Sequence, residues 1–249
     1  MKISLLTVSY NSAATIRDTI ESIRKQDYPA IEYIVVDGNS TDGTVDIVKE
    51  HSTFITRWIS EPDRGIYDAM NKALQLATGE VVGILNSDDF YFSNNIISQV
   101  AAAFNEPQID AVFGDLVFVD PDNLQKTVRT YSSAKWNPSK FARGFMPAHP
   151  TFFVRRKYYE QFGLFKTNYK IAADYELLIR FLYVNKLRYQ YLPITMVKMR
   201  RGGVSSRNLR SNIVLNNEII RACRENGIDT NVFKVYPKYF TKLFELFNS

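Results

Sequence analysis

An α/β fold on a mainly parallel central sheet, with helices on both faces, is what this sequence predicts. Three observations carry the expectation. Short apolar runs alternate with helix-period segments from residue 3 to residue 85. The runs are apolar along their whole length, as in strands covered on both faces. Polar loops follow three of them, at 10–12, 37–44 and 86–89. In open sheets of this kind ligands bind beyond the carboxyl ends of the strands, so these loops should converge on one crevice.

The elements follow in order. Ile3-Ser4-Leu5-Leu6-Thr7-Val8-Ser9 is the first strand. Tyr10-Asn11-Ser12 breaks it, and Ser12 can cap a helix over 13–25 whose Ile16, Ile20 and Ile23 share a face. Pro29 closes that unit. A second strand at 31–36 ends in Asp37-Gly38-Asn39-Ser40-Thr41-Asp42-Gly43-Thr44, which feeds a helix through Val45, Ile47 and Val48. A third strand at 54–59, the loop 60–65, a helix at 66–77 and a fourth strand at 81–85 complete a β-α-β-α-β-α-β series, for which right-handed crossovers are the rule. Beyond it the pattern loosens. A helix at 96–104 precedes a strand at 111–119, paired with 124–131 across Asp120-Pro121-Asp122-Asn123. An aromatic-rich loop spans 136–150, in which Trp136, Phe141, Phe145 and Met146 suit either a core or a sugar platform. A strand at 151–154, a helix at 156–162, a helix opening at Ala172-Ala173-Asp174-Tyr175-Glu176, a strand at 194–200 and a helix at 208–225 follow.

Composition narrows the classes. The chain has 249 residues, 45% of them apolar, enough for one large core. No apolar run approaches the roughly 18 residues that span a bilayer. The start, Met1-Lys2-Ile3-Ser4, leads into a strand rather than a signal peptide, and the single Cys223 suits a reducing compartment, so a cytoplasmic location is expected. A net charge of +5 suits anionic partners. The basic residues are dispersed and no nucleic-acid module is legible, so no nucleic acid is expected. There is no G-x-G-x-x-G after the first strand and no G-x-x-x-x-G-K-[ST], which weakens dinucleotide and P-loop readings.

The chemistry concentrates at Asn86-Ser87-Asp88-Asp89. Adjacent carboxylates repel unless positive charge joins them, and Mg²⁺ or Mn²⁺ prefers such oxygens. A solvated turn is the plainer alternative.

Four motifs then coincide in order: Thr7-Val8-Ser9-Tyr10-Asn11, the loop 37–44, Asn86-Ser87-Asp88-Asp89 and Ala173-Asp174-Tyr175-Glu176. Together they resemble the family 2 glycosyltransferases with the GT-A fold, over roughly residues 1–205. The resemblance implies transfer of a sugar from a nucleotide-sugar, usually a UDP-sugar, with inversion and with Mn²⁺ or Mg²⁺. It implies that Thr7, Tyr10 and Asn11 line the nucleotide pocket and that Asp37 accepts a hydrogen bond from the base. Arg64, Gly65 and Asn71 would lie about the diphosphate. Asn86, Ser87 and Asp88 would hold ribose and metal, with Asp88 and Asp89 as the metal ligands. Asp174 would be the catalytic base, at a helix N-terminus that favours its ionised form. His149 would border the acceptor or the diphosphate. Two positions depart from the family pattern: Asn86 and Ala173 stand where acids are usual. The stretch Met199 to Ser205 also lacks the histidine that many relatives use on the metal. Asp42-Gly43 reads as structural, and Asp68 with Lys72 as a surface ion pair.

The resemblance divides the chain into a nucleotide-binding half at about 1–105, an acceptor-side half at about 106–205 and a helical extension at 206–249. Lys234, Lys238 and Lys242 recur every four residues beside Phe233, Tyr236, Tyr239, Phe240, Leu243, Phe244, Leu246 and Phe247. From Pro237 onward this predicts a short basic amphipathic helix, which either docks on an anionic membrane surface, where lipid-linked acceptors lie, or packs on protein. The leading expectation is a glycosyltransferase acting on a glycan, plausibly lipid-linked, in polysaccharide or lipopolysaccharide assembly. A nucleotidyltransferase and an inactive nucleotide-sugar-binding scaffold are the alternatives.

Overall fold

The computed structural model describes residues 1–202 and 209–237. The first half carries β1 (Ile3–Ser9), α1 (Ile16–Arg24), β2 (Ile31–Asp37), α2 (Thr44–Glu50), β3 (Arg57–Ser60), α3 (Ile66–Leu76) and β4 (Val81–Ile84). The second carries β5 (Asp89–Tyr91), α4 (Ile96–Phe104), β6 (Ala111–Asp120), β7 (Asn123–Tyr131), β8 (Phe153–Arg155), α5 (Lys157–Phe162), α6 (Ala173–Leu178), β9 (Tyr189–Arg200), α7 (Leu209–Glu225) and α8 (Val232–Val235). The strands form one sheet ordered β3-β2-β1-β4-β8-β6-β9-β5, with β7 on β6. The first four are mutually parallel, and β6 is parallel to β9. The strands β5, β7 and β8 run antiparallel to their neighbours.

Every residue of β1 is buried, as a central parallel strand requires. Its alternate side chains feed two cores. Leu6 and Val8 join a cluster with α3, α6 and α7, whereas Ile3 and Leu5 join one with α1, α2 and α4. The sheet is thus covered on both faces. The apolar stripe Ile16, Ile20 and Ile23 is what seats α1.

Three elements differ from expectation for local reasons. The third strand begins at Arg57, because Phe54 and Ile55 still bond back to the His51 carbonyl in the turn after α2. The last strand begins at Tyr189 rather than 194, since it pairs along most of β6. Pro193 sits where that ladder shifts register, the place a strand tolerates a residue with no N–H. The three-residue β5 is stabilised only by its partner β9, so its own sequence does not announce it. Trp136 and Phe141 prove to be core, with ring centres 5.1 Å apart and nearly perpendicular. Helix α7 packs on the sheet domain, with Ile219, Ile220, Ala222 and Cys223 in the same core as α6.

Two features aim the site. The strand β8 is antiparallel to β4, with Phe153 opposite Gly83, where any Cβ would strike the Phe153 ring. The turn His149–Thr151 that precedes β8 therefore lies at the carboxyl end of β4, the end occupied by residues 86–89. The Thr151 hydroxyl clamps that turn, donating to the Ala148 carbonyl at 2.7 Å and accepting from the Gly114 amide at 3.1 Å.

Candidate active site

The three polar loops do converge. Asn11, at φ 48°, presents its amide to Ser40 Oγ at 2.8 Å and accepts from the Thr41 amide at 3.0 Å. Ser12 and Ala13 donate to Thr44 Oγ1 and Asp42 Oδ2 at 2.8 and 2.9 Å. The Ser87 hydroxyl donates to Ser12 Oγ at 2.8 Å, joining the loop after β4 to the loop after β1. Gly43, at φ 95°, and Asp42, capping the Thr44 amide, have the structural roles expected of them. Within this frame Tyr10 is 68% exposed, its ring edge close to Gly38.

Several expected pocket residues take other roles. Thr7 is wholly buried and accepts from the Tyr33 hydroxyl, so it lies under the crevice rather than in its wall. Asp37 is buried and saturated. Its carboxylate accepts from the Ser9, Ser40 and Ser60 hydroxyls at 3.0, 2.5 and 2.7 Å and from the Ser40 amide at 2.8 Å. No edge is left for a base. Asp63 is the half-buried carboxylate that faces Gly38 instead, with Oδ1 capping the Gly65 amide at 2.7 Å. Asn71 spends both ends of its amide on Phe165, tying α3 to the acceptor side. Arg64 is exposed and pairs with Asp68 at 2.8 Å, which leaves Lys72 to Glu61 rather than to Asp68. Gly65 takes φ 113° before α3.

The two adjacent acids part company. Asp88 is partly exposed, whereas Asp89 is wholly enclosed and its carboxyl oxygens meet no donor at bonding geometry. Burial, then the Asp88 charge, drives the Asp89 carboxyl well above the usual range, against the pull of Arg200. Asp88 is therefore the more accessible carboxylate of the two. Asp89 anchors the loop from below: its carbonyl accepts from Thr19 Oγ1 at 2.7 Å. Arg200, at the end of β9, donates to the Asp88 carbonyl at 2.6 Å and pairs with Asp18.

A divalent cation fits what remains. Asn86 Oδ1 is buried without a hydrogen-bond partner, an orphaned oxygen in the same loop as Asp88. Among the described residues no three His, Cys, Asp or Glu side chains gather into a cage. Such a sparse oxygen set suits Mg²⁺ or Mn²⁺ held jointly with substrate phosphates.

Asp174, opening α6, and His149, in the turn before β8, come together. Asp174 Oδ2 lies 3.4 Å from His149 Nδ1. Its Oδ1 accepts from the Tyr175 amide at 2.8 Å, with the Tyr67 hydroxyl at 3.4 Å. Tyr67 also donates to the Ile171 carbonyl at 2.5 Å, and burial followed by the Asp174 charge raises its phenol well above the ordinary value. From α7, Glu218 accepts the Lys170, Ile171 and Ala172 amides at 2.7, 2.8 and 3.0 Å, fixing the turn that presents Asp174. Ala173 points into the core, so an acid there would not face solvent. Sequence reasoning missed Tyr67, Glu218, Arg200 and Asp63. None sits in a motif, and only the long-range contacts give them work.

The fold and this constellation define a GT-A glycosyltransferase. The profile of the family described as Glycosyl transferase family 2 matches residues 4–165, and the chain belongs to that family. The PGL/p-HBAD biosynthesis glycosyltransferase of Mycobacterium bovis is 27% identical over 208 residues, covering 82% of this chain and 78% of that one. TuaG of Bacillus subtilis, a putative teichuronic acid biosynthesis glycosyltransferase, is 38% identical over 101 residues, 39% of this chain and 40% of its own. In structure the chain resembles S. aureus TarS 1-349 in complex with UDP, with TM-score 0.69, 21% identity and coverage of 93% and 67%. It also resembles the mannosyltransferase PcManGT of Pyrobaculum calidifontis in complex with GDP-Man and Mn²⁺, with TM-score 0.68, 23% identity and coverage of 92% and 65%. It spans 40% of the longer TarS chain.

The expected loop continues from Arg201 into residues 203–205, and the expected basic helix into 238–249; these parts lie outside the described residues. Among the described residues no helix is long and apolar enough to cross a membrane.

Proposed function

We propose that this chain moves a sugar from a UDP-sugar to a hydroxyl of a glycan acceptor, with inversion, in cell-surface polysaccharide or lipopolysaccharide assembly. The observation that carries this reading is the pairing of Asp174 with His149 at the sheet end that also bears Asp88. One end of the crevice has a basic pair, and the other has an anionic oxygen set open to a cation. The UDP choice is supported by TarS complexes with UDP and UDP-GlcNAc, and PcManGT with GDP-Man makes GDP-sugars the competing donors.

In this reading Tyr10 offers a ring face to the base, and Asp63 a carboxylate edge in place of Asp37. Asn11 and Ser87 shape the ribose side. Asp88, with Asn86, holds Mn²⁺ or Mg²⁺, which when bound offsets the charge gathering on the leaving diphosphate. At the other end the Asp174–His149 pair removes the proton of the acceptor hydroxyl as its oxygen reaches the anomeric carbon. The resulting step is a single displacement.

The test is nucleotide release by the purified chain with UDP-GlcNAc, UDP-glucose, UDP-galactose and GDP-mannose in Mn²⁺. A UDP-sugar should be turned over slowly by water and faster with acceptor. Asp174→Asn should lower transfer by ~10²–10⁴-fold. Calorimetric binding of UDP with no hydrolysis or transfer of any donor would make the chain a scaffold.

The acceptor is read as lipid-linked because the chain ends in aromatic and basic residues. Val235 is buried against the domain while Phe233 is 85% exposed, and Lys234 between them pairs with Asp229. A site peripheral to the inner face of the cell membrane follows. Removing residues 233–249 should move protein from membrane to soluble fractions; an unchanged distribution rejects membrane docking.

A further inference from the structure

The turn that leads into α6 is held from outside. Its N-cap, Ala172, has no side chain to offer the amides beside it. The pose of Asp174 therefore depends on what grips the residues just before it.

Helix α7 supplies the grip. Glu218, Arg221 and Glu225 recur at i, i+3 and i+7 and so share one face. That face meets residues 166–172 point by point. Glu225 accepts from the Tyr169 hydroxyl at 2.9 Å and from Lys166 at 3.1 Å. Arg221 lies with its guanidinium 4.3 Å from the centre of the Tyr169 ring and donates to the Asn168 carbonyl at 3.3 Å. Of the three, Glu218 reaches the peptides nearest to Asp174. Its Oε1 accepts the Lys170 amide at 2.7 Å, and its Oε2 accepts the Ile171 and Ala172 amides at 2.8 and 3.0 Å. From α3, Tyr67 donates to the Ile171 carbonyl at 2.5 Å, so residue 171 is held through both its amide and its carbonyl.

We propose that Glu218 is a positioning residue for glycosyl transfer: its carboxylate, bound to three consecutive amides, sets where Asp174 stands without itself meeting substrate. This rests on the glycosyl-transfer reading above. It concerns a residue outside every motif and beyond the matched residues 4–165. An ionised acceptor makes stronger hydrogen bonds to amides than a neutral one, which is the use of a carboxylate here. The cost of loosening it falls on the chemical step, because a reacting group displaced by about 1 Å loses ~10²-fold in rate. The loops that would hold the donor are tied by their own hydrogen bonds, among them Asn11 to Ser40, Ser12 to Thr44 and Ser87 to Ser12, so donor KM should be set independently of Glu218. Helix α7 is fixed by Ile219, Ile220, Ala222 and Cys223 in the core it shares with α6, and that anchorage does not need the Glu218 carboxylate.

Nucleotide release to water by the full chain tests this, with UDP-GlcNAc, UDP-glucose, UDP-galactose and GDP-mannose in Mn²⁺. Water takes the acceptor's place, and its proton also passes to the base. With the donor that the wild type turns over, Glu218→Ala should lower kcat by ~10²-fold at little change in donor KM. Glu218→Gln keeps the side-chain volume and one oxygen for the Ile171 and Ala172 amides, and should show the same split at a smaller loss. In an Asp174→Asn background, followed with radiolabelled donor, Glu218→Ala should cost less than about twofold more, since a positioning residue has nothing to position once the base is gone. Where Glu218→Ala does not fold, Glu218→Gln carries both comparisons. Equal losses in the two backgrounds would make Glu218 a general support of the fold and overturn the proposal. Wild-type kcat in both variants, or a kcat loss matched by a rise in donor KM, overturns it as well. Release by the wild type from none of the four donors rejects the glycosyl-transfer reading instead.

Discussion

The loop after β2 and the loop after β4 each bury an aspartate, and the two are treated in opposite ways. Asp37 receives three hydroxyls and one amide. Asp89 meets no donor at bonding geometry, and burial with the Asp88 charge raises its carboxyl well above the usual range against the weaker pull of Arg200 and Asn86. A buried carboxylate that stays charged must be matched by donors, and one that is not matched keeps its proton. The difference separates two jobs. Asp37 works as a clasp, drawing the ends of β1, β2 and β3 together through Ser9, Ser40 and Ser60. Asp89 works as a shaped neutral plug under Asp88, with the loop above it held by Thr19 and Arg200. The loop after β2 is thus tied by its own hydrogen bonds, whereas the loop at Asp88 keeps the orphaned Asn86 oxygen.

The larger expected effect comes from breaking the clasp. Asp37→Ala leaves three hydroxyls and an amide without their acceptor, and should cost roughly 3 kcal/mol of unfolding free energy in urea titrations. The loss should come with weaker UDP binding, since Asn11 is held through Ser40 and Thr41. A variant within about 0.5 kcal/mol of wild type would mean that the serines find other partners and that the contrast with Asp89 is empty.

How far the molecule was legible in its sequence follows the same division. The parallel half could be read because its strands are uniformly apolar and its loops local, so the order of β1 to β4 needed no long-range information. The antiparallel half could not. Pro193 masks the first part of β9, and β5 exists only through its pairing with Met199. At the site, motif residues were legible as types but not as orientations. Asp88 and Asp89 look alike in sequence, yet a strand that begins at Asp89 turns one carboxyl inward and leaves the other out. Asp37 and Asp63 are alike in the same way, and only the packing of Gly38 against Asp63 shows which acid borders the crevice. Tyr67 and Glu218 came from outside every motif, because they act on the backbone of residues 170–172 rather than on a ligand.

The smallest effect expected is also the sharpest test of the contrast. Asp89→Asn keeps the shape of the plug and removes its proton equilibrium. The folded pKa of Asp89 is raised, so the folded chain binds that proton more tightly than the unfolded chain, whose carboxyl titrates near ~3.9. Its contribution to stability is therefore full below about pH 4 and is lost as pH rises through the folded value. Asparagine has no proton to give up. The variant should match wild type near pH 4 and gain on it as the pH rises toward the folded value, read as a difference in Tm between the two chains. Metal-supported UDP release should survive the substitution, whereas Asp88→Asn should abolish it. If Asp89→Asn instead loses metal-dependent turnover at every pH, the carboxylate is charged in the working enzyme. Asp88 and Asp89 would then be a ligand pair after all.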